Sequence, residues 1–144
     1  MIIHSITTTS FLLLPTGKRT PVNVTFSYDS DDSAAVKLHF HTQDPDPIEW
    51  IFARNILLLG LDEKTDESAD VVAWPTGDAL GNVMHFNLKL TSPFGQAEFL
   101  FYIQPITDFV NAVYALIPMG DEFVNLNLDA ELVKLLADDG GNTI

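Results

Sequence analysis

Cysteine is absent from the 144 residues. That excludes disulfides, thiolate nucleophiles and cysteine-ligated metal sites, and it fits a cytoplasmic location. Positive charge is scarce: seven Lys and Arg stand against 20 Asp and Glu, a formal net charge of -13. Phosphate binding relies on clustered Lys and Arg, and only Lys18 and Arg19 are adjacent, so nucleic acid is disfavoured as a partner. The same imbalance disfavours docking on an anionic membrane surface. No apolar run approaches the ~20 residues that span a bilayer. The opening MIIHSITTTSFLLL lacks a basic n-region and a long apolar h-region, so no signal peptide is expected. Catalytic signatures are missing too: there is no G-x-S-x-G elbow, no phosphate loop and no H-E-x-x-H.

What is present is core-forming material. Hydrophobic residues make up 47% and charged residues 19% of the chain, a globular rather than disordered composition. The length suits one domain, residues 1–144, with a sizeable core. Four stretches alternate apolar and polar with period two, as half-buried strands do. They are Val22–Tyr28, Val36–Phe40, Met84–Leu90 and Ala97–Ile103. In the last, Leu100 and Tyr102 add bulk to the second face, so that strand is expected to be covered on both sides. Ile2–Leu14 reads as a longer strand, and Val71–Trp74 as a short one stopped by Pro75. Ser92-Pro93-Phe94-Gly95 is a tight hairpin turn, and Tyr28–Ser33 a turn-rich link. Such short links suit antiparallel pairs.

Helices are expected at three places. Glu49–Leu61 (EWIFARNILLLGL) opens like a strand end and then runs as a helix that is apolar nearly all round. On a helical wheel its polar members, Arg54 and Asn55, straddle a wedge that also holds Ile51 and Leu58. A surface helix normally keeps one polar face, so this one predicts cover from more than one side, including a second subunit. Trp50, Ile51, Leu58 and Leu59 are the candidate oligomer or partner contacts, with Trp enriched at interface hot spots. A second helix starts near Pro105, placed where its missing N–H is harmless. It carries Ile106, Phe109, Val110, Val113 and Ile117, and ends at Pro118 and Gly120. Asp129 caps a short third helix with Leu132, Leu135 and Leu136. The order of elements predicts an α+β fold of antiparallel twisted β-sheets, with a helix after the central strands and two C-terminal helices.

Candidate chemistry is thin. His39 and His41 share one strand face and His85 lies on another, so a metal site would need them to converge. No carboxylate stands at a ligand spacing, which favours surface hydrogen-bonding histidines. Asp29, Asp31 and Asp32 resemble the start of a calcium loop, but its sixth and twelfth positions are Ala34 and Phe40 instead of Gly and Glu. With 20 acids in the chain, pairs such as Asp121 and Glu122 arise by chance. No enzyme activity, metal or cofactor is expected.

The succession YDSDDSAAVKLHFH from Tyr28, EWIFARNILLLGL from Glu49, ADVVAWP from Ala69, LTSPFGQAEF from Leu90, PMGDE from Pro118 and DAEL from Asp129 resembles the SsgA/SsgB-like sporulation and cell-division proteins of actinomycetes, more the SsgB type. Asn55 stands where that family usually has Asp, and Ser33 where Pro is common. The resemblance implies a non-enzymatic regulator that positions septa in sporulation-specific division by recruiting or binding FtsZ. It also implies a homotrimer, other SsgA-like or septum-site proteins as partners, recruitment from the cytoplasm to division septa, and a whirly-like fold. The alternative is a whirly-type single-stranded nucleic-acid-binding protein, which would need a basic groove with stacking aromatics.

Overall fold

The structure, a computed structural model, describes residues 1–121. The helix expected from Asp129 lies outside them. Period-two alternation builds a first meander of β1 (Ile3–Leu13), β2 (Arg19–Asp29), β3 (Ala35–His41) and β4 (Ile48–Ala53). A helix α1 (Asn55–Gly60) follows. The second meander is β5 (Val71–Gly77), β6 (Val83–Ser92) and β7 (Gly95–Tyr102), and the helix α2 (Ile103–Leu116) comes directly after it. Every strand pair is antiparallel. The two meanders form one seven-stranded sheet in the order β4-β3-β2-β1-β7-β6-β5. They join where Ser10, Phe11 and Leu12 pair with Phe101, Leu100 and Phe99.

The sheet packs its inner face on α2. Val24, Phe26, Leu38, Phe86, Leu88 and Phe101 are fully buried there, with Ile106 and Phe109 of the helix. Burying each such side chain contributes about 1.5–3 kcal/mol, so this face dominates the stability. The Phe109 ring lies 5.5 Å from that of Phe26 and 5.6 Å from that of His4. The helical spacing read from Ile106 to Val113 is therefore the stripe that faces the sheet. Pro105 falls at the third residue of α2 rather than the first, still within the turn whose N–H groups lack helical partners.

Turn chemistry follows the sequence. Ser92 pairs with Gly95 across the two-residue turn Pro93-Phe94, and Gly95 has φ 142°, a conformation open to glycine. Asp29 accepts a hydrogen bond from the Asp31 N–H at 2.9 Å and caps a single 3-10 turn, Ser30–Asp32. In the β5–β6 connection the Asp78 carboxylate accepts from the N–H groups of Asn82 (3.0 Å) and Leu80 (2.9 Å). These bonds, the Asn82 N–H foremost, hold its carboxyl below the usual aspartate range.

Two expectations are corrected. The helix expected through Trp50 starts only at Asn55; Trp50 and Ile51 lie on β4. Ile48, Trp50 and Phe52 pair with Phe40, Leu38 and Val36, while Glu49, Ile51 and Ala53 pair with His39, Lys37 and Ala35. A two-faced strand followed by a six-residue helix thus mimics one helix that is apolar all round. Pro75 does not stop its strand either: β5 continues through it to Gly77. Since β5 is a sheet edge, a missing N–H there costs no ladder bond. On β7, Phe99 and Phe101 are buried, Leu100 is half-buried and Tyr102 is exposed, so its second face is only partly covered.

Candidate partner surface

Arg54 sits between β4 and α1 and is 1% exposed. One guanidinium nitrogen donates to the Ile117 carbonyl at 2.7 Å and to the Tyr28 hydroxyl at 3.3 Å; the other reaches the Pro118 carbonyl at 3.2 Å. Its carbon lies 3.9 Å from the centroid of the Tyr114 ring, a cation–π contact. The carbonyls at a helix C-terminus lack helical donors and carry partial negative charge. A buried cation placed there ties the end of α2 to the β4–α1 junction. Tyr28 completes the tie by donating to the Ser33 carbonyl at 2.8 Å.

Around this tie the four candidate contacts do not form one patch. Trp50 is half-buried on the inner face, whereas Ile51 is 51% exposed on the outer face. Leu58 packs partly against the core and Leu59 is 46% exposed. Trp50 instead helps to line an apolar cavity of about 330 Å³. Ile48 and Trp50 of β4 form one wall and the β6–β7 hairpin from Phe94 to Ala97 forms another. Leu12, Val22, Phe40, Leu90 and Phe99 complete it, with the Phe40 and Phe99 rings 4.5 Å apart. Phe94, at the hairpin tip, is 98% exposed. Sequence reasoning missed the cavity, because it forms only where residues about 80 apart meet. A phenylalanine inside a tight turn was the available hint.

The histidines have separate surroundings. His39 Nε2 is 2.7 Å from Glu49 Oε2, and His41 Nε2 is 2.7 Å from the Thr25 hydroxyl. His85 lies by Tyr102 on β6, four strand spacings from β3 or about 19 Å along the sheet. No group of three potential metal ligands occurs among the described residues. The basic side chains are dispersed as well. Lys64 pairs with Glu67, Lys89 stands opposite Glu98, Arg54 is buried, Lys18 lies in the β1–β2 turn and Arg19 opens β2. No helix among the described residues is long and apolar enough to cross a membrane.

These features define an α+β domain: an antiparallel sheet packed on a helix, with an apolar cavity behind β4, an edge strand among the described residues. The chain belongs to the SsgA family, described as "Streptomyces sporulation and cell division protein, SsgA", which matches residues 22–122. It is 37% identical over 126 residues to the sporulation-specific cell division protein SsgB of Thermobifida fusca, covering 88% of this chain and 89% of that one. With SsgB of Streptomyces coelicolor the identity is 34% over 118 residues, 82% of this chain and 84% of the relative. The solved structure of an SsgA-like sporulation-specific cell division protein from Thermobifida fusca superposes with TM-score 0.78 at 35% identity, covering 94% of this chain and 96% of that one. A second structure, described by mutations in SsgB that correlate with longitudinal cell division in Streptomyces coelicolor sporulation, gives TM-score 0.78 at 29% identity, covering 87% and 96%.

Proposed function

We propose that this chain is a non-enzymatic regulator of sporulation-specific cell division, acting in the cytoplasm at division septa. It would help position septa by binding FtsZ through protein–protein contacts. The observation that carries this reading is the similarity to SsgB proteins over 82–89% of the chain. The physical support is an apolar cavity flanked by exposed Ile48 and Phe94. With a net charge of -13, bulk charge steers the molecule away from acidic proteins. A contact with an acidic filament protein must therefore be local and apolar.

The family resemblance suggests a homotrimer. We assign its contact to Leu59 and the partly buried Leu58 of α1, which leaves Trp50 and Ile51 of β4 to the partner. Co-sedimentation with polymerising FtsZ tests the function. The chain is expected to enrich in the pellet with nucleotide-dependent filaments and to persist at high salt, as apolar contacts do. Equal amounts in the pellet with and without filaments, at every salt concentration, would refute it.

A further inference from the structure

On its inner side β4 pairs with β3, and its other edge carries no strand among the described residues. None of the turn, loop and cap hydrogen bonds among the described residues involves the backbone of Ile48–Ala53. Edge strands are usually guarded by Lys, Pro, a bulge or an inward charge. The segment IEWIFA contains neither Lys nor Pro, its register with β3 is unbroken, and it offers Ile48 on one face and Ile51 on the other. Its charged member, Glu49, points outward and is engaged by His39.

We propose that β4 accepts an extended segment of another protein as an eighth strand, with an apolar side chain of that segment seated in the cavity and Lys or Arg beside it. Inward-facing residues of an added strand would stand about 5 Å from Ile48 and Trp50, which line the cavity. This also resolves the placement of Trp50 and Ile51. They face opposite ways on one strand, so no flat partner touches both, whereas a paired strand contacts both faces. A cavity of about 330 Å³ accommodates one large side chain, such as Leu or Phe.

Charge selects the occupant. The charged residues in 42–53 are Asp44, Asp46 and Glu49, and the hairpin wall 92–97 has none. A second copy pairing through its own β4 would set these acids against themselves, which opposes self-association here. Basic flanks complement them. The inference rests on the partner-binding reading and gives that partner a chemistry, but it is tested without FtsZ, so either can fail alone.

The test titrates the ¹⁵N-labelled protein with acetylated Lys-Lys-Thr-Φ-Thr-Leu-Thr-Lys-Lys amides, where Φ is Leu, Ile or Phe. We expect saturable shifts confined to β4, Phe40 and the 92–97 hairpin, with new exchange protection of β4 amides. Replacing the threonines beside Φ by Pro should weaken binding about tenfold or more, because Pro removes ladder donors. Ile48→Asp should weaken it by at least about tenfold, and Asp44→Asn with Asp46→Asn should flatten its salt dependence. The proposal is overturned if none of the three peptides perturbs β4, or if the Pro-containing peptides bind equally well through the cavity alone. It is also overturned if β4 amides become protected with rising protein concentration in the absence of peptide, the signature of a second copy.

Discussion

Arg54→Met lowers the unfolding free energy by about 3 kcal/mol, the cost of leaving the buried Ile117 carbonyl without this donor plus a lost cation–π contact. For a chain of this length that corresponds to a fall in Tm of about 10 °C. Methionine keeps the apolar stem, so the loss belongs to the guanidinium and not to packing. Arg54 binds the Ile117 and Pro118 carbonyls and the Tyr28 hydroxyl together, so the effect should appear first at the end of α2. Hydrogen exchange of Ile117 and of its bond to Val113 is expected to accelerate before that of β2. Arg54→Lys retains the charge but has no planar fork to reach several acceptors, and should recover at most about half of the loss. Thermal unfolding of the three proteins decides the matter. A methionine variant as stable as the parent would show that the clamp contributes nothing.

Gly60→Ala is expected to destabilise by about 1–3 kcal/mol, the usual range for overpacking a well-filled core. In a solvent-exposed helix the same change would gain up to about 1 kcal/mol. Position decides the sign. A Cβ on Gly60 would stand 2.5 Å from Ala73 Cβ and 3.0 Å from Phe86 Cε1. Ala73 has no rotamer with which to retreat, and both neighbours are fully buried. Helix α1 would therefore have to lift from β5. Pairing the change with Ala73→Gly removes the nearest obstruction, and a double-mutant cycle, in which glycine's own cost in a strand cancels, should show a favourable coupling of about 1 kcal/mol. Additive losses in urea unfolding would place the strain elsewhere.

Alternation made the two meanders legible: Val22–Tyr28 and Met84–Leu90 each bury one face, and such patterns survive any detail of packing. The stripe on α2 was legible for the same reason. The junction at Arg54 was not. A six-residue helix spans less than two turns, too short to show its period beside a strand of equally apolar residues. Arg54 itself read only as a polar member of that stretch, since its two carbonyl acceptors are more than sixty positions downstream. The candidate contacts fared likewise. Trp50 and Ile51 are adjacent in sequence, and only the strand assignment sends them to opposite faces. The cavity depends on bringing Leu12, Phe40 and Phe94 together, and nothing local records that meeting.

The central claim is that this molecule works by offering apolar surface at β4 and the cavity behind it. The most direct measurement compares Ile48→Asp with the parent chain in co-sedimentation with polymerising FtsZ, after equal Tm values establish that both are folded. Ile48 is 50% exposed, so the aspartate is tolerated by the fold while it opposes an apolar partner. The parent is expected to pellet with filaments and the variant to stay in the supernatant. A folded variant that pellets as fully as the parent would contradict the claim.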